Sequence, residues 1–187
     1  LKLSDWFVID DTSVISSNLT GESISLKGSK LIIINDKKLT VTEKSGNALA
    51  INVVTSELLM DENSTLSILK SQNLNTISLT DSKLTADRAF ININSSGIYN
   101  SDFLVDDSSK FNLYNTTVRA SGKSGNSLSL GGEAVLTGSS IIPQSAGNIG
   151  ISIFNGGRLT MKGVDNVTAS VGSATNRYII PVHLSLI

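Results

Sequence analysis

Cysteine is absent from the 187 residues, which excludes a disulfide framework and any thiolate metal site. Proline occurs only at Pro143 and Pro181, and histidine only at His183. So few prolines among many Gly-, Asn- and Asp-marked turns argue against a disordered polar linker. Aromatic residues make up only 5% of the chain although hydrophobic residues make up 40%. A narrow core filled by Leu, Ile and Val reconciles the two values. No apolar run goes beyond the length of Leu31 to Ile34, far short of a membrane-spanning helix. Neither sign of charge dominates, with 15 basic and 16 acidic residues intermixed. Without a basic stripe, nucleic acid is not an expected partner. The start, Leu1 to Trp6, has neither an initiator Met nor the apolar core of a signal peptide. The expectation is a single segment, residues 1–187, cut from a longer protein.

What the chain does have is repetition. Lys38-Leu39-Thr40-Val41, Thr65-Leu66-Ser67-Ile68, Lys83-Leu84-Thr85-Ala86, Lys110-Phe111-Asn112-Leu113, Ala134-Val135-Leu136-Thr137 and Arg158-Leu159-Thr160-Met161 read as variants of one phrase. Most follow a turn such as Asn35-Asp36-Lys37, Asp81-Ser82 or Asn155-Gly156-Gly157. The steps from Leu39 through Leu66, Leu84, Phe111, Leu136 and Leu159 are roughly 18 to 27 residues, the length of one turn of a solenoid built from short strands.

Period-two alternation runs along the whole chain, as in Ile24/Leu26, Leu49/Ile51/Val53, Ile77/Leu79, Ile91/Ile93, Leu128/Leu130 and Ile149/Ile151/Ile153. No segment makes a convincing amphipathic helix; the best candidate, Ser56 to Glu62, is one short turn at most. An antiparallel sandwich would need longer strands tied by two-residue Asn-Gly or Asp-Gly hairpins. The lone Asn-Gly, Asn155-Gly156, instead opens a phrase. The pattern predicts an all-β fold: a right-handed parallel β-helix of about six to seven coils, with like strands stacked at roughly 4.7–4.9 Å. Trp6 and Phe7 are expected to cover one end of the core, and Tyr178 to Ile187 to form a further coil. Asn52 and Asn92, at matching places in similar strands, either stack their amides or form polar surface.

The stretches Gly125-Asn126-Ser127-Leu128-Ser129-Leu130-Gly131-Gly132-Glu133-Ala134-Val135-Leu136-Thr137 and Gly147-Asn148-Ile149-Gly150-Ile151-Ser152-Ile153-Phe154-Asn155-Gly156-Gly157-Arg158-Leu159-Thr160-Met161 resemble the passenger repeats of pertactin-like autotransporters. There, "G-N-x-[IL]-x-[IL]" strands alternate with "G-G-x-L-T" strands. The likeness holds best from about Ser82 to Met161. It implies a passenger exported through its own outer-membrane barrel and serving adhesion or self-aggregation, at the cell surface or secreted.

No enzyme motif displaces that reading. Gly122-Lys123-Ser124-Gly125 is one residue short of a nucleophile elbow. His183 has no acid nearer in sequence than Asp165, so a triad is not expected. A polysaccharide-binding or polysaccharide-degrading β-helix is the alternative. Degradation would require converging carboxylates with a basic partner, from Asp81, Asp87 with Arg88, Asp106-Asp107 and Arg119. Asp in the turns before phrases has a simpler use, accepting local backbone hydrogen bonds. Aromatic platforms for sugars are limited to Trp6, Tyr99, Tyr114 and Tyr178, which do not recur at one coil offset. The sequons at Asn18, Asn63, Asn94, Asn115 and Asn166 match chance for so much Asn, Ser and Thr.

The reading is therefore a non-enzymatic adhesin without cofactor or metal. Its expected partners are a host or bacterial surface receptor or glycan, or a second copy of itself. The expected adhesive row is Thr40, Ser67, Thr85, Asn112 and Thr160, each between two inward residues and all taken to face out on one sheet.

Overall fold

The computed structural model describes residues 1–3, 5–10, 13–17, 22–43, 49–70, 75–95, 98–120, 124–143, 148–162 and 166–167. Among them lie three parallel sheets of seven strands each. The first sheet contains Lys2–Leu3, Ile24–Lys27, Ile51–Val54, Ile77–Thr80, Ile98–Val105, Ser124–Leu130 and Asn148–Ile153. The second contains Trp6–Ile9, Lys30–Ile33, Glu57–Met60, Lys83–Asp87, Lys110–Tyr114, Glu133–Thr137 and Arg158–Lys162. The third contains Ser13–Ser17, Lys38–Glu43, Thr65–Lys70, Phe90–Ser95, Thr117–Ala120, Ser140–Pro143 and Asn166–Val167. The chain visits the sheets in that order and returns to the first one level higher. Leu31 thus pairs with Leu58, and Leu58 with Leu84. The fold is a parallel β-solenoid.

Inward residues form continuous columns. Leu39, Leu66, Ile91, Val118 and Ile141 stack in the third sheet, all buried. Leu31, Leu58, Leu84, Phe111, Ala134 and Leu159 stack in the second. Bulk is balanced within this interior. Phe103 and Phe111 meet edge to face on one level with centroids 4.9 Å apart, while Ala134 lies directly above Phe111. Small residues beside large ones keep the packing dense without overfilling it.

Two corners turn the chain by a fixed device. A residue with positive φ is followed by a small inward one. Gly28 (φ 59°), Thr55 (49°) and Asp81 (47°) precede Ser29, Ser56 and Ser82 between the first and second sheets. Arg88 (47°), Asn115 (46°) and Gly138 (59°) precede Ala89, Thr116 and Ser139 between the second and third. The hydroxyls complete a hydrogen-bond ladder that the turn interrupts. Ser29 N–H donates to Ser56 Oγ at 3.0 Å, Ser56 N–H to Ser82 Oγ at 3.1 Å, and Ser82 N–H to Ser109 Oγ at 3.0 Å. The other corner does likewise, with Ala89 N–H on Thr116 Oγ1 at 3.2 Å and Thr116 N–H on Ser139 Oγ at 3.1 Å. Buried N–H groups are thereby satisfied where strand geometry alone would leave them without acceptors.

Where the corner is longer, it is a β-turn. Lys37 N–H reaches Ile34 O at 3.1 Å, Ser64 N–H reaches Asp61 O at 3.0 Å, and Gly157 N–H reaches Phe154 O at 2.9 Å. Thr55 is the costly member of the first corner, because a β-branched residue resists the left-handed region. Thr55→Gly is expected to raise stability by about 0.5–1 kcal/mol, since Gly28 serves the same corner one level below. Chemical denaturation checks this, and a lowered midpoint would refute it.

Three sequence expectations are corrected here. The repeated phrase is not one column: Leu39 and Leu66 belong to the third sheet, whereas Leu84, Phe111 and Leu159 belong to the second. Leu136 is also in the second sheet but pairs with Leu113 and Met161, one inward position further along. An inward–outward–inward triplet reads the same on every face, so the step from Leu66 to Leu84 is a change of face. The helical candidate is the strand Glu57–Met60, with Leu58 and Met60 inward. Trp6 does not cover the core end. It pairs with Lys30 on the outward row and is 71% exposed, while Phe7 and Ile9 take the inward positions in register with Leu31 and Ile33.

Candidate binding surface

The expected adhesive row divides between two faces. Thr40 and Ser67 are neighbours on the third sheet, followed outward by Asn92, Arg119 and Ile142. Thr85 and Asn112 are neighbours on the second, followed by Val135 and then Thr160. All five residues are half-buried on outward rows. Below Thr85, the same second-sheet row turns apolar, with Leu59, Ile32 and Val8. Asn52 and Asn92 do not stack. Asn52 is flanked by Ser25 and Ser78 in the first sheet, and Asn92 by Ser67 and Arg119 in the third.

The acidic residues are likewise distributed. Asp81, Asp106 and Asp107 belong to the corner between the first and second sheets, whereas Asp87 ends the strand Lys83–Asp87 and Arg88 starts the next corner. Asp81 and Asp106 are brought together, but as backbone partners: Asp81 N–H donates to both Asp106 carboxylate oxygens at 3.3 and 3.2 Å. The same carboxylate accepts from Ser108 N–H and from the Ser109 hydroxyl. It anchors the turn that starts the strand Lys110–Tyr114. Arg88 reaches Glu62 at 3.3 Å and Asp87 at 3.6 Å, at an exposed site where such pairs contribute little stability. Tyr99 and Tyr114 are on different sheets. Asp165, Tyr178, His183 and the expected last coil, Tyr178 to Ile187, lie outside the described residues.

Sequence reasoning missed a row of charges. Trp6, Lys30, Glu57, Lys83, Lys110, Glu133 and Arg158 are successive partners along the outer edge of the second sheet. Lys30 Nζ lies 3.0 Å from Glu57 and 4.9 Å from the Trp6 ring centroid. Lys110 Nζ lies 3.9 Å from Glu133. The row flanks an open groove of about 490 Å³ along the corner, whose lining includes Trp6, Lys30, Glu57, Asp81, Lys83 and Lys110. The available signal was the recurrence of Ser followed by a charge and then Leu or Phe: Ser29-Lys30-Leu31, Ser56-Glu57-Leu58, Ser82-Lys83-Leu84 and Ser109-Lys110-Phe111.

No family model, no curated protein and no solved structure matches this chain. Among the described residues, no helix is long and apolar enough to cross a membrane.

Proposed function

We propose that this chain is an adhesive β-solenoid, part of an extracellular passenger of the pertactin-like autotransporter kind, and that it works by many weak contacts along its faces. The observation that supports this reading is the in-register outward row from Lys30 to Arg158, which offers one functional group per level. Groups fixed at a constant spacing of about 4.8 Å engage a repetitive partner together, so small terms multiply into avidity. The repeat texture of residues 125–161 supports the same reading from the sequence side. On this view the protein sits at the cell surface or is secreted. Its partner is a surface glycan or receptor, or a second copy.

The test places like charges on one face. Thr85 and Val135 are two levels apart on the second sheet, about 10 Å, where repulsion at physiological salt is only partly screened. Thr85→Lys with Val135→Lys is expected to abolish aggregation of cells displaying the chain, while either change alone weakens it slightly. Sedimentation of the cells reads the effect, and circular dichroism confirms that the variants fold. Parent-displaying cells that neither aggregate nor bind any surface would overturn the adhesive reading.

A further inference from the structure

The outer row of the second sheet alternates in sign except at one step. Lys30 is followed by Glu57, Glu57 by Lys83, Lys110 by Glu133 and Glu133 by Arg158. Lys83 and Lys110, however, are direct neighbours. Like charges facing each other across adjacent strands destabilise a sheet. Lys30 is neutralised by Glu57 at 3.0 Å, and Lys110 has Glu133 at 3.9 Å. Among the described residues, Lys83 has no carboxylate within salt-bridge distance. The uncompensated positive charge falls beside the open groove.

At the other end of that groove stands Trp6, 71% exposed. Its ring is not left loose. Lys30 lies over it, and Glu57 holds Lys30 in turn. A large exposed aromatic ring, held by a cation that is itself paired, is a prepared stacking platform. Gly28 adds no side chain beside it, and the space where one would project is empty.

We propose that this groove binds an acidic glycan lying along the solenoid axis. One sugar ring stacks on Trp6, and a carboxylate or sulfate further along bridges the Lys83 and Lys110 ammonium groups. Trp6 and Lys83 are three strand steps apart, about 14 Å, and Lys110 one step more, about 19 Å. Occupying both ends requires an oligosaccharide, so a single acidic sugar would bind far more weakly. Glu57 does not oppose the ligand because Lys30 neutralises it. Asp81 also lines the groove, and one carboxylate beside two lysines lowers the net attraction without reversing it. The inference rests on the adhesive reading and names the ligand of one surface within it.

Trp6 is the chain's single tryptophan, so tryptophan emission, excited selectively over the three tyrosines, reports this site alone. The purified chain is titrated with an oligogalacturonate hexamer, a heparin-derived hexasaccharide, monomeric galacturonate and neutral cellohexaose. Fluorescence should change and saturate with one or both acidic hexamers, at far lower concentration than with the monomer or the neutral sugar. Binding of the oligogalacturonate shows that carboxylates suffice, whereas binding of the heparin fragment alone shows that sulfate is needed, since heparin carries both groups. By calorimetry, Lys83→Glu should weaken binding about tenfold or more, the effect of losing a charge-assisted contact. Trp6→Ala should weaken it about three- to tenfold, and Trp6→Phe less. Lys83→Gln, a mild surface change, provides the check if the charge reversal disturbs folding.

Failure of both acidic hexamers to bind overturns the inference, as does binding that survives Lys83→Glu and Trp6→Ala together. Equal binding of single-stranded DNA with the same lysine dependence would also overturn it, marking a general polyanion surface. If the hexamers fail while displaying cells still aggregate, only the glycan site is lost. If the hexamers bind but displaying cells neither aggregate nor adhere, only the adhesive reading is lost.

Discussion

Leu66→Ala is expected to lower the unfolding free energy by about 2–5 kcal/mol, measured by chemical denaturation. Leu66 is fully buried in its column between Leu39 and Ile91. The site has little freedom to collapse, because ladder hydrogen bonds on all three sheets hold neighbouring levels at their fixed spacing. The deleted methyl groups therefore leave a cavity instead of a rearranged core. Leu69 on the same strand points outward and is half-exposed, so Leu69→Ala should change stability by only about 0.5 kcal/mol or less. Equal stability of Leu66→Ala and the parent would mean that the column is wrongly registered.

Gly132→Ala is expected to cost about 1–3 kcal/mol by overpacking. Gly132 continues the corner column of Ser29, Ser56, Ser82 and Ser109, each of which precedes the first residue of a second-sheet strand. Its own corner differs. A Cβ there would collide with the backbone carbonyl oxygens of Asp106 and Ser109, which the four-residue turn below pushes toward it. Backbone oxygens yield less readily than side-chain ends, so the strain has no cheap outlet. Glu133→Ala, at the exposed next position, is the control and should be near neutral. If Gly132→Ala unfolds at the parent's midpoint, the turn is free to move and the account of this corner fails.

The fold was legible because its core obeys one simple rule. Alternating aliphatic triplets such as Leu39/Val41, Leu84/Ala86 and Leu128/Leu130 occur at every level, and their inward direction follows from period two alone. The two stretches read as repeats of one kind, from Gly125 and from Gly147, also fell in register, since Leu128 pairs with Ile151 and Leu130 with Ile153. Assignment to faces was not legible. Each of the three sheets demands the same triplet, so Leu66 and Leu84, or Asn52 and Asn92, look equivalent in sequence while facing different directions. The proposed row from Thr40 to Thr160 failed as a single face for this reason. The information that separates the faces sits in the corners: a residue able to hold positive φ, then an inward Ser, then a charge. Those short polar residues resemble ordinary loop composition until the hydrogen bonds of Ser56 and Ser82 are seen. The exposed row from Trp6 to Arg158 was hidden too, because outward residues carry no constraint that alternation reveals.

Contacts that join only neighbouring levels make the solenoid's length adjustable in whole units. Excising residues 57–82 would join Ser56 to Lys83, with one corner serine still preceding a second-sheet strand. Leu84 would then rest on Leu31, Ile91 on Leu39 and Phe103 on Ile51, apolar on apolar in each sheet. The shortened molecule would keep its cross-section and lose one strand spacing of height. It would also lose Glu57 and set Lys30 directly beneath Lys83, so the charge pattern would change where the core did not. Reach and surface chemistry are thus two independently editable properties of this architecture, written in different residues of the same repeat.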